Sequence, residues 1–504
     1  MSMPVEHLTT TLSLNELLRG FAEAPALEVS GISSDSRSLK SGDLFLACAG
    51  HNSHGLDYIA DAVGAGVVAI AWDSSSTDAP ANDVGVPMIA IEGLAKRVGE
   101  IANRFYARPS ETVKVVGVTG TNGKTTVAWL IAQCFGRLQQ RCAYVGTLGS
   151  GIDEVEGGEG MTTPGAIELH GRLADFRDDG AMFAAVEVSS HALAQNRVDG
   201  VAFETVLFTN LSRDHLDYHG DMQSYAATKA KLFLECKARN RIINVDSDFG
   251  AKLADQCGSS VVTVSTNLDR VANDSPYVFI RSVVAGDNGS QVRVSSSWGD
   301  GEFSLPLPGD FNVANAAIVL ALMLKQGIPM DQACDVLATV SAPPGRMQRV
   351  AATHGLPSVY VDYAHTPAAI EAVLCTLKAH CKGRLWCVFG CGGDRDPGKR
   401  PQMGKIAERH ADYIVVTNDN PRSEEPYSII SAITAGLSKP GQATIIEDRS
   451  AAIAWAIGRA AADDIVLIAG KGHENYQLLD GERLDFSDYG AALANLAALA
   501  EASA

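Results

Sequence analysis

Short apolar runs and helical patterns alternate along most of the chain, and this alternation predicts an α/β fold. In the first hundred residues, strands are predicted at 43–47 and 66–71, with a helix at 58–63 between them. From residue 113, longer apolar runs alternate with helices, as in a mostly parallel sheet covered on both faces. Strands are predicted there at 113–118, 183–188, 205–208 and 241–245.

A third alternating segment begins near the Pro343-Pro344 pair. Its strands are predicted at 359–362, 385–390, 413–417, 444–446 and 465–470, and several end in Gly, Asp or Asn, where open α/β sheets place ligands. Between the second and third segments, residues 278–305 alternate polar and apolar, which predicts antiparallel strands. With a linker at 106–110, the pattern predicts three α/β domains, at 1–108, 109–342 and 343–504.

Composition excludes several classes of protein. The 504 residues suit about three domains of about 150 residues, and 46% hydrophobic with 20% charged residues is ordinary for a globular chain. The longest apolar stretch, 314–324, is too short to cross a bilayer, and the N-terminus has no signal-peptide pattern. Ten scattered cysteines favour reduced thiols in the cytoplasm. The net charge of -18 argues against nucleic-acid binding, so any phosphate needs a local cradle.

The strongest local motif is a glycine-rich loop that follows a predicted strand and opens a helix. Its glycines let backbone N–H groups approach phosphate oxygens, Lys124 supplies a cation, and Thr125 offers a hydroxyl to Mg²⁺. Valine at 118 departs from the strict Walker pattern, so the loop is a variant. The candidate phosphate-binding residues are Gly120, Thr121, Asn122, Gly123, Lys124, Thr125 and Thr126.

Three further segments carry polar residues suited to a nucleotide site. Glu187 follows a predicted strand and is a candidate Mg²⁺ ligand, because Mg²⁺ prefers carboxylates, phosphates and water. Residues 214–219 are rich in histidine and aspartate, although a polar helix-capping loop is the better explanation of this segment taken alone. Asn312 and Asn315 begin a predicted helix, where asparagine is often only a cap.

Taken together, these segments make the chain similar to the Mur ligases of bacterial peptidoglycan synthesis, over essentially its whole length. Asp419–Arg422 places it in the diaminopimelate-adding branch. The matching segments are Ser34–Arg37, Gly42–Phe45, Gly50–Ser53, Gly120–Thr126, Thr162–Thr163, Glu187–His191, Asn210–Gly220, Lys229, Phe311–Asn312, Gly345–Arg346, Asp362–Pro367, Gly390–Arg395, Asp419–Arg422 and Gly470–Glu474.

The resemblance implies a reaction and a set of cofactors. ATP phosphorylates the γ-carboxylate of D-glutamate in UDP-MurNAc-L-Ala-D-Glu, and the amine of meso-diaminopimelate attacks the acyl phosphate to form an amide, ADP and phosphate. The resemblance also implies Mg²⁺ and a CO₂-derived carbamate on Lys229. The implied catalytic and metal-binding residues are Lys124, Thr125, Glu187, His215 and Lys229, and the implied ATP residues beyond the loop are Asn312, Arg346, Asp362 and His365.

The resemblance assigns the other two substrates to separate segments. It implies a small UDP-binding domain, a central P-loop-type domain and a C-terminal Rossmann-like domain, in a monomer that binds only small molecules. The implied UDP-MurNAc-dipeptide residues are Ser34, Ser36, His51, Asn52, Ser53, Met161, Thr162, Thr163, Ser189, Gln195 and Arg197; Met161 stands where relatives commonly have asparagine. The implied diaminopimelate residues are Arg395, Asp419, Asn420, Pro421, Arg422, Gly470 and Glu474.

Three alternatives compete with this interpretation. A sibling ligase that adds lysine or D-Ala-D-Ala, or a folylpolyglutamate synthetase, is disfavoured by Asp419–Arg422 and by the UDP-type N-terminal segment. A P-loop GTPase would carry a guanine-reading Asn-Lys-x-Asp motif, which is absent from the sequence. A motor ATPase would carry a Walker B aspartate after the next strand, where this chain has Glu187–Ser190. A Rossmann oxidoreductase would need Gly-x-Gly-x-x-Gly spacing, which Gly390–Gly393 lacks. Cys387 and Cys391 are predicted to be buried packing residues.

Overall fold

The structure is a computed structural model that describes residues 11–50, 53–77, 84–157, 160–271, 275–286, 289–350, 355–479 and 481–503. The chain forms two compact units. One contains the residues up to 263 together with 269–276, and the other contains 264–268 and the chain from 277 onward. Within the described residues, no helix combines the length and the apolar character that crossing a membrane requires.

The first segment of the chain forms a four-stranded parallel sheet in the order β3-β4-β5-β6. Every residue of β4 and β5 is buried, which explains their nearly continuous apolar sequences. The strand predicted at 66–71 begins and ends a few residues later than expected. The elements are β1 (Leu12–Ser13), α1 (Leu14–Leu17), β2 (Glu28–Val29), β3 (Gly31–Ser33), β4 (Asp43–Ala47), α2 (Ile59–Ala65), β5 (Ala69–Asp73), β6 (Met88–Ile91) and α3 (Val98–Phe105).

The next segment carries the predicted mostly parallel sheet. Its strands run in the order β10-β9-β8-β11-β7-β12-β13, and β8, β11, β7, β12 and β13 are parallel. The elements are β7 (Lys114–Thr119), α4 (Lys124–Arg137), β8 (Cys142–Gly146), β9 (Gly149–Ile152), β10 (Glu156–Gly157), α5 (Ala166–Asp178), β11 (Phe183–Glu187), α6 (Ser190–Ala194), β12 (Phe203–Phe208), α7 (Leu216–His219), α8 (Met222–Leu234), β13 (Ala238–Asn244), α9 (Asp248–Cys257) and β14 (Val261–Ser265).

The alternating sequence from 278 onward forms the predicted antiparallel strands, β15 (Tyr277–Gly286), β16 (Gly289–Ser296) and β17 (Gly299–Leu305). Two helices follow, α10 (Asp310–Lys325) and α11 (Met330–Leu337). From Ala316 to Leu324 every residue of α10 is buried. The most apolar stretch of the sequence is therefore a core helix.

The C-terminal segment forms a six-stranded sheet in the order β18-β19-β23-β20-β21-β22, parallel except for β18. Apolar clusters cover both faces, with Cys387 and Phe389 in one and Trp386 and Val388 in the other. Cys387 and Cys391 are buried packing residues, as predicted. The elements are β18 (Gln348–Arg349), β19 (Ser358–Asp362), α12 (Pro367–His380), β20 (Leu385–Phe389), α13 (Lys399–His410), β21 (Tyr413–Val416), α14 (Pro426–Thr434), β22 (Thr444–Ile445), α15 (Arg449–Ile457), β23 (Ile465–Ala469), β24 (Tyr476–Leu479), β25 (Glu482–Asp485) and α16 (Asp488–Ser503).

Candidate active site

The glycine-rich loop connects the carboxyl end of β7 to the amino end of α4, as predicted. Gly120 has a φ of +152°, and a Cβ there would lie 1.9 Å from Oγ1 of Thr209. Gly123 has a φ of +87° at the residue before the helix. Only glycine satisfies both conditions, and the amino end of the helix directly follows the loop.

Residues that follow β12 hold this loop in place. The Thr121 N–H donates to the Asn210 carbonyl oxygen at 2.8 Å, and the Asn122 N–H donates to Oδ1 of the same residue at 3.0 Å. Thr209 Oγ1 donates to the Asn122 carbonyl oxygen at 2.6 Å. Lys124 folds back so that its Nζ donates to the carbonyl oxygens of Gly120 and Thr121, at 3.0 and 2.9 Å. The loop is therefore preorganised.

Glu187 ends β11, the strand directly beside β7, and its register partner is Val118. Its side chain is fully buried and accepts hydrogen bonds from Tyr144 Oη at 2.5 Å and from the Thr147 N–H at 2.9 Å. Thr125 Oγ1 donates to the other carboxylate oxygen at 2.9 Å. The structure thus brings together the loop hydroxyl and the carboxylate that were predicted to hold Mg²⁺.

This donor set fits Mg²⁺, which binds proteins through one or two oxygen ligands and keeps phosphate oxygens and water as its other ligands. Across the parts of the chain that the structure describes, no group of three or more His, Cys, Asp or Glu side chains is placed to hold a metal ion. A cation at Thr125 and Glu187 would therefore depend on the nucleotide phosphates.

Lys229 lies on α8 with 1% of its surface exposed. Its Nζ donates to the Gly120 carbonyl oxygen at 2.8 Å, the same oxygen that Lys124 contacts, and lies 4.6 Å from the Tyr225 ring centre. Burial, and after it the Lys124 cation, lower the pKa of Lys229 well below that of a free lysine. The buried position therefore favours the uncharged form of the amine.

Three histidines pack beside this lysine. The ring centre of His191 lies 5.0 Å from that of His215 and 5.6 Å from that of His219. Burial, followed by the two neighbouring histidines, lowers the pKa of His191 to about 4. His215 has a φ of +52° and lies 3.4 Å from the Asp214 carboxylate. These rings are therefore neutral at physiological pH.

The predicted substrate residues of this unit form one hydrogen-bonded group behind Glu187. Thr163 Oγ1 donates to the Glu187 carbonyl oxygen at 2.7 Å and accepts from the Ser189 N–H at 3.0 Å. Arg197 donates through Nη1 to the Thr163 carbonyl oxygen at 3.0 Å and through Nε to Gln195 at 3.0 Å. Burial lowers the pKa of Arg197, which stays cationic.

Other predicted substrate residues lie at the edge of this group or in the first segment. Thr162 accepts a hydrogen bond from Thr147 at 3.2 Å, and Met161 is 55% exposed. Ser34 and Ser53 are exposed, and Ser36 begins a short 3₁₀ turn capped by Asp35. His51 and Asn52 lie outside the described residues.

Two of the predicted ATP residues of the second unit, Arg346 and Asp362, lie around β19. Asp362 ends that strand and accepts the N–H groups of Met347 at 2.6 Å and Ala364 at 2.7 Å. Burial raises the pKa of Asp362, and this effect outweighs the Arg346 cation, which lowers it. The Arg346 guanidinium lies 4.5 Å from the ring centre of Tyr363.

Two more residues of that prediction make local contacts. His365 Nδ1 lies 2.8 Å from the Tyr363 carbonyl oxygen. Asn312 donates to the Pro308 carbonyl oxygen at 2.8 Å and is 3% exposed, so its amide stabilises the turn before α10. Their proposed role toward ATP stays a prediction, because they and the phosphate loop belong to different units.

The segment that was predicted to bind diaminopimelate lies beyond the carboxyl end of β21. Asn420 is 2% exposed, and its side chain accepts from Lys471 Nζ at 2.9 Å and donates to Glu474 at 2.9 Å. Arg422 has a φ of +56° and donates through Nη1 to the Gly393 carbonyl oxygen at 2.8 Å. Three predicted residues, Asn420, Arg422 and Glu474, are thus brought into one loop system.

Lys471 is a residue of this site that sequence reasoning did not assign. It is fully buried, and its Nζ also lies 3.1 Å from Glu474. Its place inside the motif Gly470–Glu474 was the available signal. Arg395 is exposed and donates to its neighbour's carbonyl oxygen at 3.5 Å, so it is free to turn toward a ligand.

Comparisons with known proteins agree with this architecture. A family model of the Mur ligase catalytic domain matches residues 28–106, one of the Mur ligase middle domain matches 118–323, and one of the Mur ligase glutamate ligase domain matches 345–472. This chain belongs to the Mur ligase family and has its three-domain α/β architecture. Each match falls within one predicted domain, whose boundaries stay a prediction.

Named relatives lie in the predicted branch of the family. UDP-N-acetylmuramoyl-L-alanyl-D-glutamate--2,6-diaminopimelate ligase of Pseudomonas putida is 43% identical over 97% of each chain, and that of Pseudomonas aeruginosa is 44% identical over 95% of this chain and 96% of its own. A solved structure of a ligase with this name covers 97% of this chain and 99% of its own, at 34% identity and a TM-score of 0.71. MurF ligase of Thermotoga maritima, in complex with ADP, shares the fold at 17% identity and a TM-score of 0.62.

Proposed function

We propose that this protein is the ATP-dependent ligase that joins meso-diaminopimelate to UDP-N-acetylmuramoyl-L-alanyl-D-glutamate in peptidoglycan precursor synthesis. The observation that carries the proposal is the loop 419–422, held by Lys471 and Glu474 in a chain that also has a phosphate loop beside a buried carboxylate. The relatives of that name, similar over nearly the full length, support it.

At the phosphate end, the chain's own groups position the reacting atoms. The loop N–H groups and Lys124 bind the transferring phosphoryl group. Thr125 and Glu187 would hold Mg²⁺, which would neutralise the charge that develops on the phosphate oxygens. Arg197, Thr163 and Ser189 orient the D-glutamate end of the precursor, whose γ-carboxylate takes the phosphoryl group. His215 lies near these groups as a neutral ring.

We further propose that Lys229 carries a carbamate. Only an unprotonated amine adds to CO₂, and burial beside Lys124 lowers the pKa of Lys229 well below that of a free lysine, which favours the unprotonated amine. The modification would place an anion at the carbonyl oxygen where the two amines meet, and this anion would attract the Lys124 cation. The carbamate would offer oxygen atoms, the type of ligand that Mg²⁺ prefers.

At the amino-acid end, recognition depends on the distal carboxylate that distinguishes diaminopimelate from lysine. The Arg422 guanidinium matches a carboxylate through paired hydrogen bonds. Asp419 and Glu474 bind the distal ammonium, and Arg395 binds the other carboxylate. We expect the protein to act as a monomer in the cytoplasm, which light scattering and cell fractionation would check.

One assay tests the proposal and separates it from its alternatives. Phosphate release is measured with ATP, Mg²⁺, each UDP-muramoyl precursor and each amino acid, with Lys124→Ala as the control for the phosphate site. We expect turnover only with the dipeptide precursor and diaminopimelate, and a loss of about 10²-fold or more in Lys124→Ala. Equal turnover with lysine, or near-normal turnover of Lys124→Ala, would contradict the proposal.

A further inference from the structure

A buried ion pair lies beneath the proposed amino-acid site. Arg449, the first residue of α15, donates through Nε and Nη2 to the two carboxylate oxygens of Asp488, both at 2.7 Å. Asp488 is the first residue of α16, and neither side chain has any exposed surface. Removing two charges from water is costly, so such a pair survives only when its remaining hydrogen-bonding groups are also satisfied.

The remaining donors of Arg449 bind two strand ends. Nη1 donates to the Asn418 carbonyl oxygen at 3.1 Å, and Nη2 donates to the Ala469 carbonyl oxygen at 3.0 Å. Asn418 directly precedes Asp419, and Ala469 directly precedes Gly470. One guanidinium therefore ties together the starts of both segments that we propose to bind diaminopimelate.

The two segments meet closely above this guanidinium. A Cβ on Gly470 would lie 2.5 Å from Oδ2 of Asp419 and 3.8 Å from Nη2 of Arg449. Asp419 is held further by Gln477, whose Nε2 donates to its carbonyl oxygen at 2.8 Å. A shift of either strand end would thus move the Asp419 carboxylate relative to Gly470.

We propose that Arg449 and Asp488 are positioning residues for the amino-acid substrate. Asp488 orients the guanidinium, and the guanidinium sets the spacing between the loop after β21 and the loop after β23. The inference rests on the proposed function, because it assigns these loops to diaminopimelate. It also gives the C-terminal helix α16 a role in the site through its first residue.

A role of this ion pair in positioning can be separated from a role in the stability of the fold. A buried ion pair replaced by apolar residues of similar volume often leaves a protein equally stable. Apolar side chains, however, cannot donate to the carbonyl oxygens of Asn418 and Ala469. Replacing both partners should therefore keep the fold and lose the spacing of the two loops.

The test is the double variant Arg449→Met with Asp488→Leu, compared with wild type. KM is measured separately for diaminopimelate, ATP and the dipeptide precursor, together with the urea midpoint of unfolding. We expect a midpoint close to that of wild type, KM values for ATP and the precursor within about twofold, and a KM for diaminopimelate raised by about 10- to 100-fold.

Asp464→Asn is the matched control. Asp464 is a buried carboxylate at the opposite, amino end of β23, where it accepts the Arg384 N–H at 2.7 Å and Trp386 Nε1 at 3.0 Å. Its substitution should lower the urea midpoint without a selective rise in the KM for diaminopimelate. A selective rise of the same size in Asp464→Asn would overturn the proposal.

Other outcomes are also decisive. If the KM of the double variant for diaminopimelate equals that of wild type, the inference is overturned and the proposed function still stands. If the wild-type enzyme does not use diaminopimelate at all, the proposed function itself is refuted. If the double variant fails to fold, Arg449→Lys serves instead, since it keeps the charge and cannot make both carbonyl contacts with the paired geometry. An unchanged KM for diaminopimelate in that variant would overturn the inference.

Discussion

Two amines, Lys124 and Lys229, donate to the same carbonyl oxygen of Gly120, and Lys229 is the more deeply buried of the two. If Lys229 acts as a carbamate, Lys229→Ala should abolish amide formation while the UDP precursor still binds with nearly unchanged affinity. Turnover and precursor affinity are measured side by side, and native mass spectrometry should show an extra carboxyl group on the wild type.

Lys231→Ala is the control for this prediction, because Lys231 lies on the same helix two residues away and is only partly buried. It should turn over normally. Lys229→Arg keeps a cation and cannot carry a carbamate, so it should be as inactive as the alanine variant. An active Lys229→Arg enzyme would show that an anion at 229 is not required.

Arg422 is the residue on which the choice of amino acid should depend. Arg422 is partly buried, and bound lysine would leave its guanidinium desolvated without a carboxylate, at a cost of about 3–5 kcal/mol. We expect wild type to prefer diaminopimelate over lysine by about 10²- to 10³-fold in kcat/KM, and Arg422→Ala to lose most of this preference. The values of kcat/KM for both amino acids provide the measurement.

Arg395→Ala is the informative comparison for Arg422. We propose that Arg395 holds the carboxylate that both amino acids share, so its removal should weaken both substrates about equally and leave the preference intact. Unchanged discrimination in Arg422→Ala, or a loss of discrimination confined to Arg395→Ala, would show that the two roles are assigned wrongly.

At the scale of elements, the loops at the carboxyl ends of β21 and β23 depend on a close approach at Gly470. This residue has a φ of +121°, and a Cβ would lie 2.5 Å from Asp419 Oδ2. Gly470→Ala should strain the backbone by about 1–3 kcal/mol and displace Asp419. We expect the KM for diaminopimelate to rise about tenfold and the KM for ATP to stay unchanged.

Gly441→Ala provides the matched control in the same unit, because a Cβ at Gly441 meets no atom within 4 Å. This variant should have the stability and the KM values of wild type. If Gly470→Ala also behaves like wild type, the close approach of the two loops does not matter for substrate binding.

At the scale of the whole molecule, histidines of lowered pKa predict acid sensitivity. The pKa values of His191 and His473 are lowered to about 4, and burial is the largest cause. Burial also lowers the pKa values of His215 and His219. The unfolded chain therefore binds more protons than the folded one between about pH 6.5 and pH 4. The free energy of unfolding should fall as the pH drops through this window.

Urea unfolding at several pH values between 7 and 4 checks this prediction. The double variant His191→Gln with His473→Gln should lose less stability over the window than wild type. Asp362 and Asp199 act in the opposite direction, because burial raises the pKa of each carboxyl. A pH dependence that is the same in wild type and in the double variant would show that these two histidines do not contribute.

Most of the fold could be predicted because its strands are buried on both faces. Such strands are continuous apolar runs, and β4, β7, β11, β20 and β23 lie within a few residues of their predicted positions. Several strands were not predicted, and the two longest of these are β8 and β14. Each is a five-residue run next to polar turns, and nothing in such a run shows which neighbour it pairs with.

The sequence by itself determined the family, the order of the segments and the contiguous motifs. A motif such as Gly120–Thr126 can be recognised in the sequence because its glycines and polar residues act within a few positions of one another. Only the tertiary structure decided that Glu187 receives the Thr125 hydroxyl, that Lys229 meets Lys124 at one oxygen, and that Arg449 joins two strand ends to Asp488. These contacts join residues 20 to 109 positions apart. The packing of the folded chain brings these residues together, and no local pattern in the sequence indicates which of them will meet.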